Sequence, residues 1–150
     1  MQKIFAFILL LSLSGCSYIT DFYIFNSTDH NITIEYQPRE ISEYEVFATS
    51  PRIVGFGKKT DISEIKNDSG VQFDPENKIV RCELKPKQAL WIGSDMNFSL
   101  ENDYAAAALK ERLVYLNIET DGKTVKLTPD NVLEHFKTYR KYVVVGFEVK

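Results

Sequence analysis

The stretch VYLNIETDGKTVKL, residues 114–127, has the pattern of a β-hairpin. Apolar and polar residues alternate on both sides of its centre, so each half can bury one face. Asp121-Gly122 lies at that centre, and this dipeptide is typical of two-residue turns whose backbone needs positive φ. The pattern therefore predicts two antiparallel strands joined by a tight turn.

Strand patterns also precede this hairpin. Residues 18–25 are rich in aromatic and β-branched residues, and residues 31–36 alternate after a turn-forming cluster. Residues 78–84 and 88–92 alternate on either side of a short turn that contains proline. We predict that each pair of segments forms a hairpin.

Four further segments give weaker or different signals. Residues 44–48 and 52–56 are candidate short strands, and residues 142–149 are apolar enough on both faces to form a central strand. Residues 58–77 are polar and contain two turn signals, which predicts a long surface loop.

Two helices are expected. Apolar residues share one helical stripe between residues 100 and 112, where an alanine run raises helix propensity. Thr128 is a good N-cap with Pro129 at the first helical position, which predicts a second, short helix. With about eight strands, the fold class is mainly β, an antiparallel β-sandwich-like sheet with two short helices, and α+β is the neighbouring alternative.

The start of the chain has the order of a secretory signal. Lys3 supplies a positive charge, and the apolar run 4–11 is too short to span a bilayer, which takes about 20 residues. Leu13-Ser14-Gly15-Cys16 follows this run and places two small residues before a cysteine.

These residues resemble the lipobox of bacterial lipoproteins. The resemblance implies that diacylglycerol is attached to Cys16 and that cleavage occurs between Gly15 and Cys16. Residues 1–15 are then a signal peptide, and residues 16–150 form one lipid-anchored domain. The alternative is an ordinary secretory signal with an incidental cysteine near its end.

The same resemblance implies that the protein is located in the bacterial cell envelope. In such lipoproteins an aspartate after the cysteine commonly retains the protein on the inner membrane, whereas this chain has Ser17. The outer membrane, on its periplasmic face, is therefore favoured. Because strand composition begins at Tyr18, the tether is short, and we expect the domain to lie against the bilayer.

The net charge and the second cysteine limit the binding partners and the chemistry that we expect. The formal net charge is −3, so the domain has no electrostatic reason to bind nucleic acid. Cys82 lies on the apolar side of an alternating strand and is expected to be a small buried hydrophobic residue.

No catalytic constellation is recognisable in the sequence. His30 and His135 each lack a histidine or cysteine at metal-ligand spacing, and no nucleophile elbow or phosphate-binding glycine loop occurs. We expect no enzyme activity, no cofactor and no metal.

Aromatic residues remain as candidate contacts, because tyrosine and tryptophan combine a large apolar area with a polar tip. The candidates for contact with a partner or ligand are Trp91, Tyr18, Tyr23, Tyr44 and Tyr139. We expect a non-enzymatic lipoprotein that docks or assembles with a protein partner at the membrane. The alternative is a module that binds a glycan or a small molecule. In size, lipobox, short tether and β content with added helices, the chain also resembles the outer-membrane lipoprotein of type VI secretion.

Overall fold

A computed structural model of the protein describes residues 17–64 and 70–150. The predicted signal peptide, residues 1–15, and the predicted lipidation site Cys16 lie outside the described residues. The described residues form eleven strands and two helices, in the order β1 (Ile19–Asn26), β2 (Ile32–Pro38), β3 (Arg52–Phe56), β4 (Ile62–Glu64), β5 (Val71–Asp74), β6 (Ile79–Leu84), β7 (Gln88–Met96), α1 (Asp103–Glu111), β8 (Leu113–Thr120), β9 (Lys123–Leu127), α2 (Val132–His135), β10 (Lys137–Arg140) and β11 (Val144–Val149).

The strands form two sheets. The larger sheet has the order β10-β11-β1-β7-β3-β4, and the smaller sheet has the order β5-β6-β2-β8-β9. Neighbouring strands are antiparallel except for β1 and β11, which are parallel. One apolar core contains side chains from both sheets. The fold is therefore mainly β and sandwich-like with two short helices, as the sequence predicted, rather than α+β.

The alternation of β1 shows where the core sits. Phe22 and Ile24 belong to the core between the sheets, whereas Tyr23 and Phe25 belong to a second apolar cluster. Because successive strand residues point to opposite faces, this second cluster lies on the outer face of the larger sheet. Phe25 is buried there over Gly146, where an added Cβ would come within 2.6 Å of the Phe25 ring.

The outer face of the smaller sheet carries a polar network instead. Glu35 on β2 accepts hydrogen bonds from Arg81 Nε (2.6 Å) and from the Tyr115 hydroxyl (2.8 Å). Burial raises the pKa of Glu35, but the two hydrogen bonds outweigh burial and leave that pKa below its ordinary value. The same network raises the pKa of Tyr115 to about 12, through burial and the hydrogen bond to the carboxylate.

Two of the three predicted hairpins are wrong. The consecutive strands β1 and β2 lie in opposite sheets, and so do β6 and β7. Their connections cross between the sheets, which pack about 10 Å apart in sandwiches, and sequence alternation does not distinguish such a crossing from a hairpin. The third hairpin is confirmed, with Asp121 (φ 49°) and Gly122 (φ 71°) both in the left-handed region at its turn.

Other boundaries also differ from the predictions. Residues 44–48 form no strand, and Glu45 makes only an isolated bridge to Ser94. The predicted loop 58–77 contains the edge strands β4 and β5. The second helix does not begin at Thr128, whose carbonyl accepts hydrogen bonds from the next turn, and α2 starts only after Asn131.

Several predictions are confirmed. The segment 52–56 forms β3, and the C-terminal segment forms β11, a central strand between β10 and β1. Helix α1 lies within the predicted range, and the Asn102 side chain caps it by accepting hydrogen bonds from two backbone N–H groups. Cys82 is buried in the core, with 5% of its surface exposed.

Candidate functional site

The chain enters the sandwich at Tyr18, whose backbone is fixed on both sides by Asn97. The Tyr18 N–H donates to Asn97 Oδ1 (3.2 Å), and the Tyr18 carbonyl accepts from the Asn97 N–H (2.9 Å). Asn97 follows β7 in the left-handed region, with φ 56°. The chain is therefore held in place only two residues after Cys16 in the sequence.

Four side chains lie around this entry point in two neighbouring pairs, which we together call the Tyr18 patch: Tyr18 with Tyr142, and Ile19 with Met96. The ring centroids of Tyr18 and Tyr142 are 4.4 Å apart. Ile19 and Met96 are directly opposite each other on β1 and β7, and 61% and 70% of their surfaces are exposed. The patch is thus largely apolar and open to solvent, and it lies where β1 begins and β7 ends.

The Tyr18 patch lies at one end of the sandwich, which we call the Tyr18 end. Here β1, β8 and β11 begin and β2 and β7 finish. An ion pair between Arg112 and Asp95 (2.9 Å) joins the beginning of β8 to the end of β7.

The exposed apolar side chains are unevenly distributed. Strand register and connection place all seven of the large exposed hydrophobic residues of the described chain at the Tyr18 end: Ile19, Ile41, Tyr44, Met96, Tyr104, Val114 and Tyr142. Isolated exposed apolar residues are common on proteins, whereas their concentration at one end makes the Tyr18 end the candidate interaction surface.

The opposite end, which we call the Gly122 end, is polar. It contains the β8–β9 turn and the connections at residues 27–31 and 85–87. Asn26 is fully buried beneath it, where Nδ2 donates to the carbonyls of His30 (2.9 Å) and Leu84 (3.0 Å) and Oδ1 accepts from the Thr28 N–H (3.0 Å). The hydrogen bonds of the Asn26 side chain therefore hold the connection at residues 27–31 against the end of β6.

Tyr44 reaches the surface from a segment that crosses the Tyr18 end, residues 42–49. The Tyr44 carbonyl accepts from the Ser94 N–H (2.7 Å), and the Ala48 N–H donates to the Ile92 carbonyl (2.8 Å). Gly93 makes this contact with β7 sterically feasible, because an added Cβ would lie 2.2 Å from the Glu45 carbonyl oxygen. Tyr44 itself is 71% exposed.

Trp91 and Tyr23 lie elsewhere, in the outer cluster of the larger sheet, and are 6% and 7% exposed. The Trp91 Nε1–H donates to Asp21 Oδ1 (2.9 Å), and the Arg52 guanidinium lies 4.3 Å from the centroid of the Trp91 ring. Burial, then the Asp21 charge, raises the pKa of Tyr23 to about 12, against the opposing effect of Arg52. Most of both rings is therefore covered.

Tyr139 belongs to the margin of the same cluster. Its ring packs edge-on against Phe25, with centroids 5.3 Å apart. Burial, followed by the nearby Glu148 carboxylate, raises its pKa to about 12. Of the five aromatic residues singled out from the sequence, Tyr18 and Tyr44 thus lie at the Tyr18 end, and the other three lie in the outer cluster.

One polar arrangement at the Gly122 end has the order of a catalytic triad. His30 Nε2 lies 2.7 Å from Thr120 Oγ1, and His30 Nδ1 lies 3.0 Å from Asp29 Oδ1. The Asp29 side chain is fully exposed, whereas a triad carboxylate is buried so that it fixes the imidazole. The same turn is held by Thr28, which donates to the His30 carbonyl (2.9 Å), so the arrangement is explained by turn structure.

Within residues 17–64 and 70–150, no group of three or more histidine, cysteine or acidic residues is placed to hold a metal ion. No helix in this part of the chain is long and apolar enough to cross a membrane. No protein-family model matches the chain, and no significant match was found among curated proteins or solved structures.

Sequence reasoning missed most of the Tyr18 patch. Ile19 and Met96 belong to strands whose other residues are mostly buried, and Tyr142 was assigned to the central strand rather than to the turn before it. Their exposure depends on where the strands end. The signal for Tyr18 was its residue type, because tyrosine is favoured at interfaces.

Proposed function

We propose that this chain is a non-enzymatic lipoprotein of the bacterial cell envelope. In this proposal the chain is cleaved between Gly15 and Cys16, acylated on Cys16, and held at the membrane surface, where it docks or assembles with a protein partner. The periplasmic face of the outer membrane is the favoured location, on the basis of Ser17.

The observation that carries the proposal is the position of the exposed apolar residues relative to Cys16. All seven large exposed hydrophobic side chains of the described residues lie at the end where the chain enters from Cys16. A membrane-held domain that acts near its anchor needs its interaction surface at this end. The fixed backbone of Tyr18 further supports a domain that stays close to its anchor.

The burial of Trp91 supports docking over the alternative of a glycan-binding or small-molecule-binding module. Such a module would present Trp91 in an accessible pocket, because ligand sites expose aromatic faces to their ligands. Here the Arg52 guanidinium already covers the face of the Trp91 ring, and the Trp91 N–H already donates a hydrogen bond to Asp21. Tyr44, in contrast, is exposed at the Tyr18 end and is available to a neighbour in or on the membrane.

The test of the anchor compares the wild type with Cys16→Ala in cells that are given a palmitate analogue bearing an alkyne. We expect the wild type to carry the label and to fractionate with membranes, and we expect Cys16→Ala to lose both properties. An unlabelled wild type in the soluble fraction would overturn the proposal.

The test of docking places a photo-crosslinking residue at Tyr44, with the same substitution at the exposed Thr124 of the Gly122 end as the matched control. We expect a discrete protein adduct from position 44 in membranes, absent at position 124 and absent when Cys16→Ala is added. Equal adducts at the two positions would contradict a partner surface at the Tyr18 end.

A further inference from the structure

The Tyr18 patch lies within reach of the bilayer that would hold the acyl chains of Cys16. Two residues of extended chain span at most about 7 Å, so the Cα atom of Tyr18 lies within that distance of the Cα atom of Cys16. The interfacial layer on each side of a bilayer is itself roughly 5 to 8 Å thick. Tyr18 therefore cannot stand clear of this layer.

The backbone geometry extends this constraint to the whole patch. Tyr18 is hydrogen-bonded to Asn97 on both sides, so the chain cannot unwind at this point without breaking the contact between β1 and β7. Ile19 and Met96 are adjacent on these strands, and Tyr142 packs on Tyr18. All four side chains therefore approach the bilayer together.

The chemistry of the patch suits a membrane interface. Tyrosine is enriched at headgroup level, where its ring lies in an apolar layer and its hydroxyl meets water, and the exposed Ile19 and Met96 side chains add apolar surface. The Lys141 ammonium lies 4.8 Å from the centroid of the Tyr142 ring, and a lysine at this level can extend its charge toward lipid phosphates.

We propose that the Tyr18 patch inserts into the interfacial layer of the bilayer and fixes the orientation of the domain, with the Gly122 end pointing away from the membrane. This inference rests on the lipid anchor proposed above. It assigns the patch to lipid, and it leaves Tyr44 and the segment 42–49, at the margin of the same end, to contact a membrane-embedded neighbour.

The test measures the depth of a nitroxide label in the acylated, full-length mature protein. Cys82→Ala removes the buried thiol, and the Cys16 sulfur is occupied by its thioether, so a single introduced cysteine carries the label. The label is placed at Met96→Cys in the patch, at Tyr142→Cys as a second patch position, and at Thr124→Cys as the matched control. The proteins are reconstituted in vesicles of phosphatidylethanolamine and phosphatidylglycerol, and collision with oxygen and with a water-soluble nickel complex is measured.

We expect the labels at positions 96 and 142 to collide with nickel at least several-fold less often than the label at position 124, and to collide readily with oxygen. Nickel collision equal to that of position 124 would place the patch in water and overturn the inference. Protection from both reagents would show coverage by protein, such as a second copy of the chain, and would also overturn it.

The intact mass of the same preparations separates the two proposals. If the protein is acylated but the patch labels lie in water, the insertion of the Tyr18 patch is refuted and the lipoprotein proposal stands. If Cys16 carries no acyl groups, both proposals are refuted.

Discussion

Replacing Gly93 with alanine should destabilise the fold and displace the segment that presents Tyr44. Gly93 has φ 122°, a conformation that residues with a Cβ rarely adopt. An added Cβ would lie 2.2 Å from the Glu45 carbonyl oxygen, 2.6 Å from the Glu45 carbonyl carbon and 2.9 Å from the Val46 Cα. These are backbone atoms, so the clash can be relieved only if the segment 42–49 moves.

Two costs contribute to the effect. A residue held in a sparsely populated backbone region costs about 1 to 3 kcal/mol. Forcing extra atoms into a packed contact costs a further 1 to 3 kcal/mol or so. We therefore expect Gly93→Ala to lower the free energy of unfolding by about 2 to 6 kcal/mol.

The assay is equilibrium unfolding in urea, with Gly122→Ala as the matched control. Gly122 also has positive φ, at 71°, but nothing lies within 4 Å of an added Cβ, so only the backbone cost of about 1 to 2 kcal/mol applies. A loss from Gly93→Ala no larger than the loss from Gly122→Ala would refute the close contact between β7 and the segment 42–49.

Three further outcomes follow from particular contacts. Because the folded-state pKa of Glu35 lies below its ordinary value of 4.5, its contribution to stability is present above that pH and is lost as pH falls through the lower, folded pKa. Urea midpoints measured from pH 7 to pH 3 should therefore fall on the acid side, and Glu35→Gln should flatten this dependence. Arg52→Ala should uncover Trp91, the single tryptophan, and shift its fluorescence emission to the red with faster acrylamide quenching; an unchanged spectrum would contradict the stacked guanidinium. Asn26→Ala should lower the free energy of unfolding, measured in urea, by about 1 to 3 kcal/mol, because the Leu84 carbonyl and the Thr28 N–H lose their partner. An unchanged free energy of unfolding would contradict the hydrogen bonds of Asn26.

Local signals in the sequence predicted local structure well. The β8–β9 hairpin was predictable because Asp121-Gly122 itself favours the positive φ that the turn needs. The position of α1 followed from its apolar stripe and alanine run. The burial of Cys82 followed from strand alternation alone, because only one face of β6 packs on the core.

Pairings between distant strands were not predictable in the same way. The alternation of β1 and β2 is compatible both with a hairpin and with strands in opposite sheets, because each strand buries one face in either case. The parallel pairing of β1 with β11 joins residues more than 120 positions apart, and no local residue preference encodes it. Edge strands such as β4 and β5 carry a weak apolar pattern because their partners cover little of them.

The candidate site likewise has a part that the sequence predicted and a part that depends on contacts between distant residues. Tyr18 and Tyr44 were named as candidates because tyrosine combines a large apolar area with a polar tip, and this residue type is sequence information. Whether an aromatic ring is exposed depends on the partners that cover it, and the sequence does not distinguish the covered Trp91 from the exposed Tyr44. The grouping of Met96 and Tyr142 with Tyr18 requires the end of β7 and the β10–β11 turn to meet the start of β1.

The intact mass of the protein extracted from membranes, measured beside the mass of Cys16→Ala, tests the lipid anchor most directly. Removal of residues 1–15 and the addition of acyl chains to the new N-terminal Cys16 should give a mass that matches the remaining chain plus its lipid, and Cys16→Ala should lack that lipid. A wild-type protein that carries an unmodified Cys16 would contradict the anchor and, with it, the orientation of the Tyr18 end toward the membrane.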